Sequence, residues 1–160
     1  MTTSTANTRV SIRLATPADR DFVLILADRL AAFDRPAWRS ANELADGDRR
    51  ALADAIDRPT EGTALFVAEL DGARAGVLLM WTLEDYFSRE RHGHISVIAV
   101  TEAAEGRGVG AALMAHAEAW TRDRGYTRLT LSVFETNRRA QGLYERAGFV
   151  PEMRRYVKQL

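Results

Sequence analysis

Three glycines at alternate positions, Gly106, Gly108 and Gly110, join a β-patterned run to a helical stripe, and this junction constrains the chain more than any other feature. Upstream, His92 to Val100 is rich in valine and isoleucine, the composition of a strand. Downstream, Val109, Leu113, His116 and Trp120 recur at i, i+4, i+7 and i+11, one face of a helix that ends at Arg122 to Gly125. Amides at a helix start lack intrahelical acceptors and carry partial positive charge, so a small phosphate is one ligand such a turn can hold. Arg107 can add a charge-assisted contact. The same glycines can instead let the helix pack tightly on a sheet, and the turn alone leaves both readings open.

The rest of the chain reads as one α+β domain over 9–160, preceded by a polar tail at 1–8 that is expected to be disordered. Val10, Ile12 and Leu14 alternate as a strand, and Phe22, Ile25, Leu26, Leu30 and Phe33 follow helical spacing. Ser40 to Ile56 is a second amphipathic segment. Thr63–Leu70 and Ala75–Leu83 flank the turn signal Asp71-Gly72 as an antiparallel hairpin. Tyr126–Phe134 predicts a further strand, Asn137–Ala147 a short helix, and Glu152–Val157 a final strand. The expected order is βααβββαβαβ, with no internal repeat.

Twenty-two basic residues against 22 acidic ones leave a formal charge of zero, a poor footprint for gripping a nucleic acid backbone or an anionic bilayer. Neither is expected as a partner. With no cysteine, thiolate nucleophiles and Cys-ligated metals are excluded, and no metal is expected. The opening lacks a signal-peptide pattern and no apolar run approaches the roughly 20 residues of a membrane span, so a cytoplasmic location is expected.

Gly106-x-Gly108-x-x-Ala111 also satisfies a dinucleotide-binding fingerprint, with Glu135 in the place of a ribose ligand. That fold needs several more strand–helix units, yet 25 residues follow Glu135. A phosphate loop of the Gly-Lys-Ser/Thr type is absent.

Together with the residues downstream of it, the turn resembles the GNAT N-acetyltransferase superfamily. The family signature, (Arg/Gln)-x-x-Gly-x-(Gly/Ala), meets Glu105-Gly-Arg-Gly108-Val-Gly110 here. Its later motif, Asn-x-x-Ala-x-x-Leu-Tyr-x-x-x-Gly-Phe, meets Asn137-Arg-Arg-Ala140-Gln-Gly-Leu143-Tyr144-Glu-Arg-Ala-Gly148-Phe149. The resemblance in element order spans roughly residues 9 to 159. It implies the GNAT fold: a mixed central sheet of about six to seven strands flanked by about four helices, splayed between strands four and five. It also implies acetyl-CoA as cosubstrate. The amides of Arg107, Gly108, Val109, Gly110, Ala111 and Ala112 would hold the pyrophosphate, and the backbone of Ile98, Ala99 and Val100 would pair with pantetheine. One departure stands out: Glu105 replaces the family's Arg or Gln, and an acidic side chain there repels a pyrophosphate unless it turns outward.

The resemblance further assigns Asn137 to the pantetheine arm, although asparagine is equally suited to cap the helix. Tyr144 matches the tyrosine that protonates the departing CoA thiolate, with a satisfied buried hydroxyl as the alternative. Attack on a thioester needs a neutral amine, so a base must take a proton. His94 occupies the strand-four position of the glutamate used by the histone-acetylating branch, and an imidazole near pKa about 6.5 can serve. His92 shares its face, and His116 reads as a packing residue. Trp38, Glu84, Asp85 and Tyr86 are the candidate acceptor-site residues. The expected activity is acetyl transfer to a primary amine, small molecule or peptide, by direct attack in a ternary complex. A non-catalytic acyl-CoA-binding or interaction module is the alternative, and a homodimer is an expectation from the family.

Overall fold

Alternating apolar residues make the first element a strand, β1 (Val10–Leu14), in the computed structural model, which describes residues 9–160. The tail expected at 1–8 lies outside the described residues. Two helices follow, α1 (Arg20–Leu30) and α2 (Ala41–Asp57). The Ser40 hydroxyl starts α2 by accepting from the Glu43 amide at 3.0 Å, while the Glu43 side chain turns back to the Ser40 amide. Next comes a meander of β2 (Thr63–Leu70), β3 (Ala73–Glu84) and β4 (Arg91–Val100). The remaining elements are α3 (Val109–Asp123), β5 (Leu129–Leu131) and α4 (Arg138–Arg146). No helix of the described residues is long and apolar enough to cross a membrane.

The sheet has five strands in the order β1-β2-β3-β4-β5. The first four pair antiparallel, and α3 carries the chain across one face so that β5 joins β4 in parallel. That last pairing is short, running from Gly93↔Leu129 to Ile95↔Leu131. It ends where β4 is bulged: Met80 faces Ile95 and Leu79 faces Val97, so Ser96 is skipped in the register with β3. A bulge bends its strand and raises the local twist, which turns the second half of β4 away from the chain leaving β5. The expected opening between strands four and five begins there.

Apolar side chains fill both faces. Leu78, Met80 and Ile95 pack with Val109, Leu113, Ala117 and Trp120 of α3, while Val77, Leu79, Val97 and Ala99 pack with Val23 and Leu26 of α1 and Leu52 of α2. A Cβ added at Gly93 would stand 2.3 Å from the Thr121 hydroxyl, so α3 sits against bare β4 backbone. Asp19, with no exposed surface, ties β1, β3 and the start of α1 together. Its carboxylate accepts from Arg13 at 2.7 and 3.0 Å, from Arg74 at 2.7 Å and from the Thr16 amide at 2.8 Å.

Two strand expectations need correction. The sheet has five strands rather than six to seven, because nothing after α4 pairs among the described residues. Val150, Met153, Tyr156 and Val157 are exposed, their spacing lacks the two-residue period that gives a strand one face to bury, and Pro151 has no amide to donate. Likewise the run 126–134 pairs only at Leu129–Leu131, since its later residues diverge from the bulged half of β4.

Candidate active site

The chain leaves β4 at Val100, makes a single 3-10 turn over Glu102–Ala104, and enters α3 through Gly106 and Gly108 at φ +71° and +86°. Both values lie in the left-handed region that only glycine adopts without strain. A Cβ built at either position meets no atom within 4 Å, and at Gly110 only Val100 Cγ2 at 3.8 Å. Packing therefore does not explain these glycines, and open space stands in front of the loop. The first bond into the helix is Ala112 N–H to Gly108 C=O at 3.0 Å, which leaves the amides of Gly108, Val109, Gly110 and Ala111 without an acceptor among the described residues. Such an array suits an oxyanion, and a diphosphate fits it.

The carboxylate that departs from the motif is paired with arginines from two helices. Glu105 accepts from Arg29 of α1 at 2.6 Å, and Arg139 of α4 stands 3.9 Å from its other oxygen. Arg107 is itself engaged, donating to Asp71 at 3.2 Å.

Beyond the Ser96 bulge the sheet opens into a cavity of about 460 Å³, within the size range of small-molecule sites. Ser96, Val97 and Ile98 of β4 form one wall, and Leu131–Phe134 with Asn137, Ala140 and Tyr144 of α4 form another. Phe33, Arg39, Glu43 and Asp48 close it from the α1–α2 side. Phe33 stacks on Phe134 across the mouth, with ring centroids 5.3 Å apart.

A phosphate-ready helix start beside a wedge in a mixed sheet is a specific combination, and comparison with known proteins agrees with it. The family model described as the acetyltransferase (GNAT) family matches residues 27–149. The chain belongs to the GNAT acetyltransferase family. Mycothiol acetyltransferase of Salinispora tropica is 33% identical over 145 residues, 88% of this chain and 44% of that protein. The chain thus spans less than half the length of that relative. Aminoglycoside N(6')-acetyltransferase type 1 of Stenotrophomonas maltophilia is 28% identical over 142 residues, 87% of this chain and 85% of that one. Among solved structures, aminoglycoside N-acetyltransferase AAC(6')-Iy in complex with CoA has a TM-score of 0.70 at 17% identity, covering 96% of this chain and 95% of that one.

Within the GNAT frame, α4 carries two of the expected site residues to the cavity. Asn137 Oδ1 accepts from the Ala140 amide at 3.2 Å, so the capping role is real, while the Asn137 side-chain NH₂ makes no bond among the described residues. Tyr144 packs edge-on to Phe149, and its hydroxyl has no partner among the described residues. Burial pushes its phenol above the ordinary value, so it holds its proton at neutral pH.

His94 lies outside the cavity wall. Its Nδ1 shares a 2.8 Å hydrogen bond with the Thr130 hydroxyl and its ring stacks on Trp81; burial, then neighbouring His92, lower its pKa. His116 packs edge-on to Phe66 at 4.4 Å. Of the candidate acceptor residues, none lines the cavity. Trp38 is half-exposed beside Arg39, Tyr86 is solvent-facing, and Glu84 pairs with Arg89 at 2.8 Å. Asp85 closes its own turn by accepting from the Phe87 and Ser88 amides at 3.1 and 2.8 Å.

The cavity instead presents two acids of α2 that sequence reasoning missed. Glu43 is spoken for by Arg39 and the Ser40 amide. Asp48 makes no hydrogen bond or ion pair among the described residues, and burial pushes its carboxyl up. A signal for it exists in the sequence: Leu44, Asp48, Leu52 and Ile56 recur every four residues, so a carboxylate interrupts the apolar stripe of α2.

Proposed function

We propose that the chain moves the acetyl group of acetyl-CoA to an amine that enters the cavity from the α1–α2 side. What carries this reading is two features set along β4: free amides at the start of α3, which follows the strand, and a wedge at Ser96–Ile98 that also reaches Asp48 and Tyr144. The amides of Gly108–Ala111 would hold the diphosphate, those of Arg107 and Ala112 being bonded to the Ala104 and Gly108 carbonyls, and the β4 edge at Ile98–Val100, unpaired with β5, would receive the pantetheine amides as an added strand does. The Asn137 NH₂ can donate to that arm. Bound there, the coenzyme supplies an activated thioester.

Asp48 would draw in a cationic amine and take its proton, because only the neutral amine has a lone pair to attack. A desolvated carboxylate is a stronger base than one in water, which suits the task. Asp48 is favoured over His94 in this role, since Asp48 lines the cavity whereas His94 lies outside its wall with Nδ1 bonded to Thr130. Tyr144, protonated and unpaired, would deliver a proton to the leaving thiolate. Attack would be direct, in a ternary complex. The acceptor on this reading is a small cationic primary amine, in keeping with an acid on the cavity wall and with a relative named for acetylating aminoglycosides.

The test is free-thiol release from acetyl-CoA across a panel of aminoglycosides, polyamines, amino sugars and peptide N-termini. Turnover with at least one cationic small amine is expected. Thermal stabilisation by CoA with no turnover on any amine would overturn catalysis and leave a non-catalytic coenzyme-binding module.

A further inference from the structure

Charges of both signs pair on and around the glycine loop. Asp71, Glu102 and Glu105 stand against Arg29, Arg107 and Arg139, each acid within 4 Å of one of these arginines. Arg107 is held by Asp71, and Arg139 is exposed and reaches Glu105 only at 3.9 Å. The short contact is made by Arg29, which lies in the last turn of α1 and is 76 residues distant in sequence. One of its guanidinium nitrogens stands 2.6 Å from Glu105 and the other 3.5 Å from Glu102. Glu105 is the residue immediately before the glycines, so its carboxylate has two places to go: toward Arg29, or into the open space in front of the amides.

We propose that Arg29 is a positioning residue for the coenzyme: it holds the Glu105 carboxylate away from the phosphate-binding amides. The proposal rests on the coenzyme reading above. Its physical basis is repulsion between a carboxylate and a diphosphate. At about 10 Å in a partly solvated site, one unpaired like charge weakens binding about tenfold, and half-buried charges at a loop are only partly screened by salt. Glu105 then departs from the motif without loss of the site, because a guanidinium from α1 restrains its carboxylate.

The experiment is isothermal titration of CoA, and of pantetheine as a probe without the diphosphate, into the wild type, Arg29→Ala, Arg29→Lys, Glu105→Gln and the Arg29→Ala/Glu105→Gln double variant. Arg29→Ala is expected to weaken CoA about tenfold with pantetheine unchanged, and Arg29→Lys to restore most of the loss. In the Glu105→Gln background, Arg29→Ala should change CoA affinity by less than about threefold, since no carboxylate remains to be held. An undiminished Arg29→Ala effect in that background overturns the proposal, because Arg29 would then act on the phosphates without Glu105. Equal weakening of pantetheine overturns it as well, as does wild-type affinity in Arg29→Ala. If the wild type itself binds no CoA, the coenzyme reading fails together with it, whereas CoA binding without coupling between Arg29 and Glu105 removes the Arg29 role alone.

Discussion

Replacing Gly108 by alanine separates the two uses a loop glycine can have, and Gly110 supplies the control. At Gly108 the backbone sits at φ +86°, and a new Cβ touches nothing within 4 Å. No steric clash arises, so the stability loss is the left-handed conformation alone, about 1–2 kcal/mol. For a chain of this length that lowers Tm by about 2–8 °C. Binding should suffer separately, because the Cβ projects into the space a phosphate needs. Loss of one hydrogen bond to a charged group, about 1.5–3 kcal/mol, corresponds to roughly 10- to 150-fold in Kd for CoA. Gly110 lies inside α3, where an added methyl would stand an ordinary 3.8 Å from Val100 Cγ2. At this second helical position alanine should raise stability by a few tenths of a kcal/mol, less than the roughly 1 kcal/mol of a helix interior. CoA affinity should hold, since the family signature accepts alanine at that place. Thermal melts and calorimetric titration at one ionic strength read both quantities. A Gly108→Ala variant that melts lower yet binds CoA as tightly as the wild type would show that the glycine serves only the turn and not the phosphate.

Three further outcomes are expected. Tyr144→Phe should lower kcat by about 100-fold or more while CoA affinity stays within twofold, and a fully active Phe variant removes the general-acid role. Wild-type activity should fall as pH drops through the raised pKa of Asp48, because protonation abolishes the base; Asp48→Asn should lose that acid limb along with most of kcat/KM. Loss of the limb in His94→Ala instead would move the role to the histidine. The Arg13 hydrogen bonds hold the Asp19 carboxyl well below the usual carboxylate range. Its contribution is therefore present above the unfolded value of about 3.9 and lost as pH falls toward the lower folded value. Asp19→Asn should cost about 1.5–3 kcal/mol at pH 7 by removing the charged partner of Arg74 and leaving Arg13 to Glu69 alone, and should flatten the acid side of the stability profile. Urea melts between pH 3 and 7 check both, and an unchanged acid dependence would rule out Asp19 as its source.

The parts of this protein legible in the sequence are those governed by near neighbours. The α3 stripe of Val109, Leu113 and Trp120 repeats within a few turns, and the Asp71-Gly72 hairpin is a two-residue choice between flanking strands. The glycine loop belongs to the same class, since φ at Gly106 and Gly108 is a local property. Asp48 is legible too, as a carboxylate inside an apolar stripe, although attention to the leucines of that helix alone passes over it. By contrast, the segment 152–157 has apolar residues yet no partner, and strand formation is a property of pairs, which composition does not report.

Local chemistry in the chain thus determined a strand, a left-handed glycine turn and a helix start with free amides, because backbone dihedrals and helical periodicity are set within a few residues. Tertiary structure alone decided where the sheet parts, since the Ser96 bulge exists only as a register against β3 and the pairing to β5 stops beside it. It also decided the fate of Glu105. A carboxylate's effect on a neighbouring anion depends on distances through space, and the guanidinium that holds it arrives from a helix 76 residues earlier in the chain.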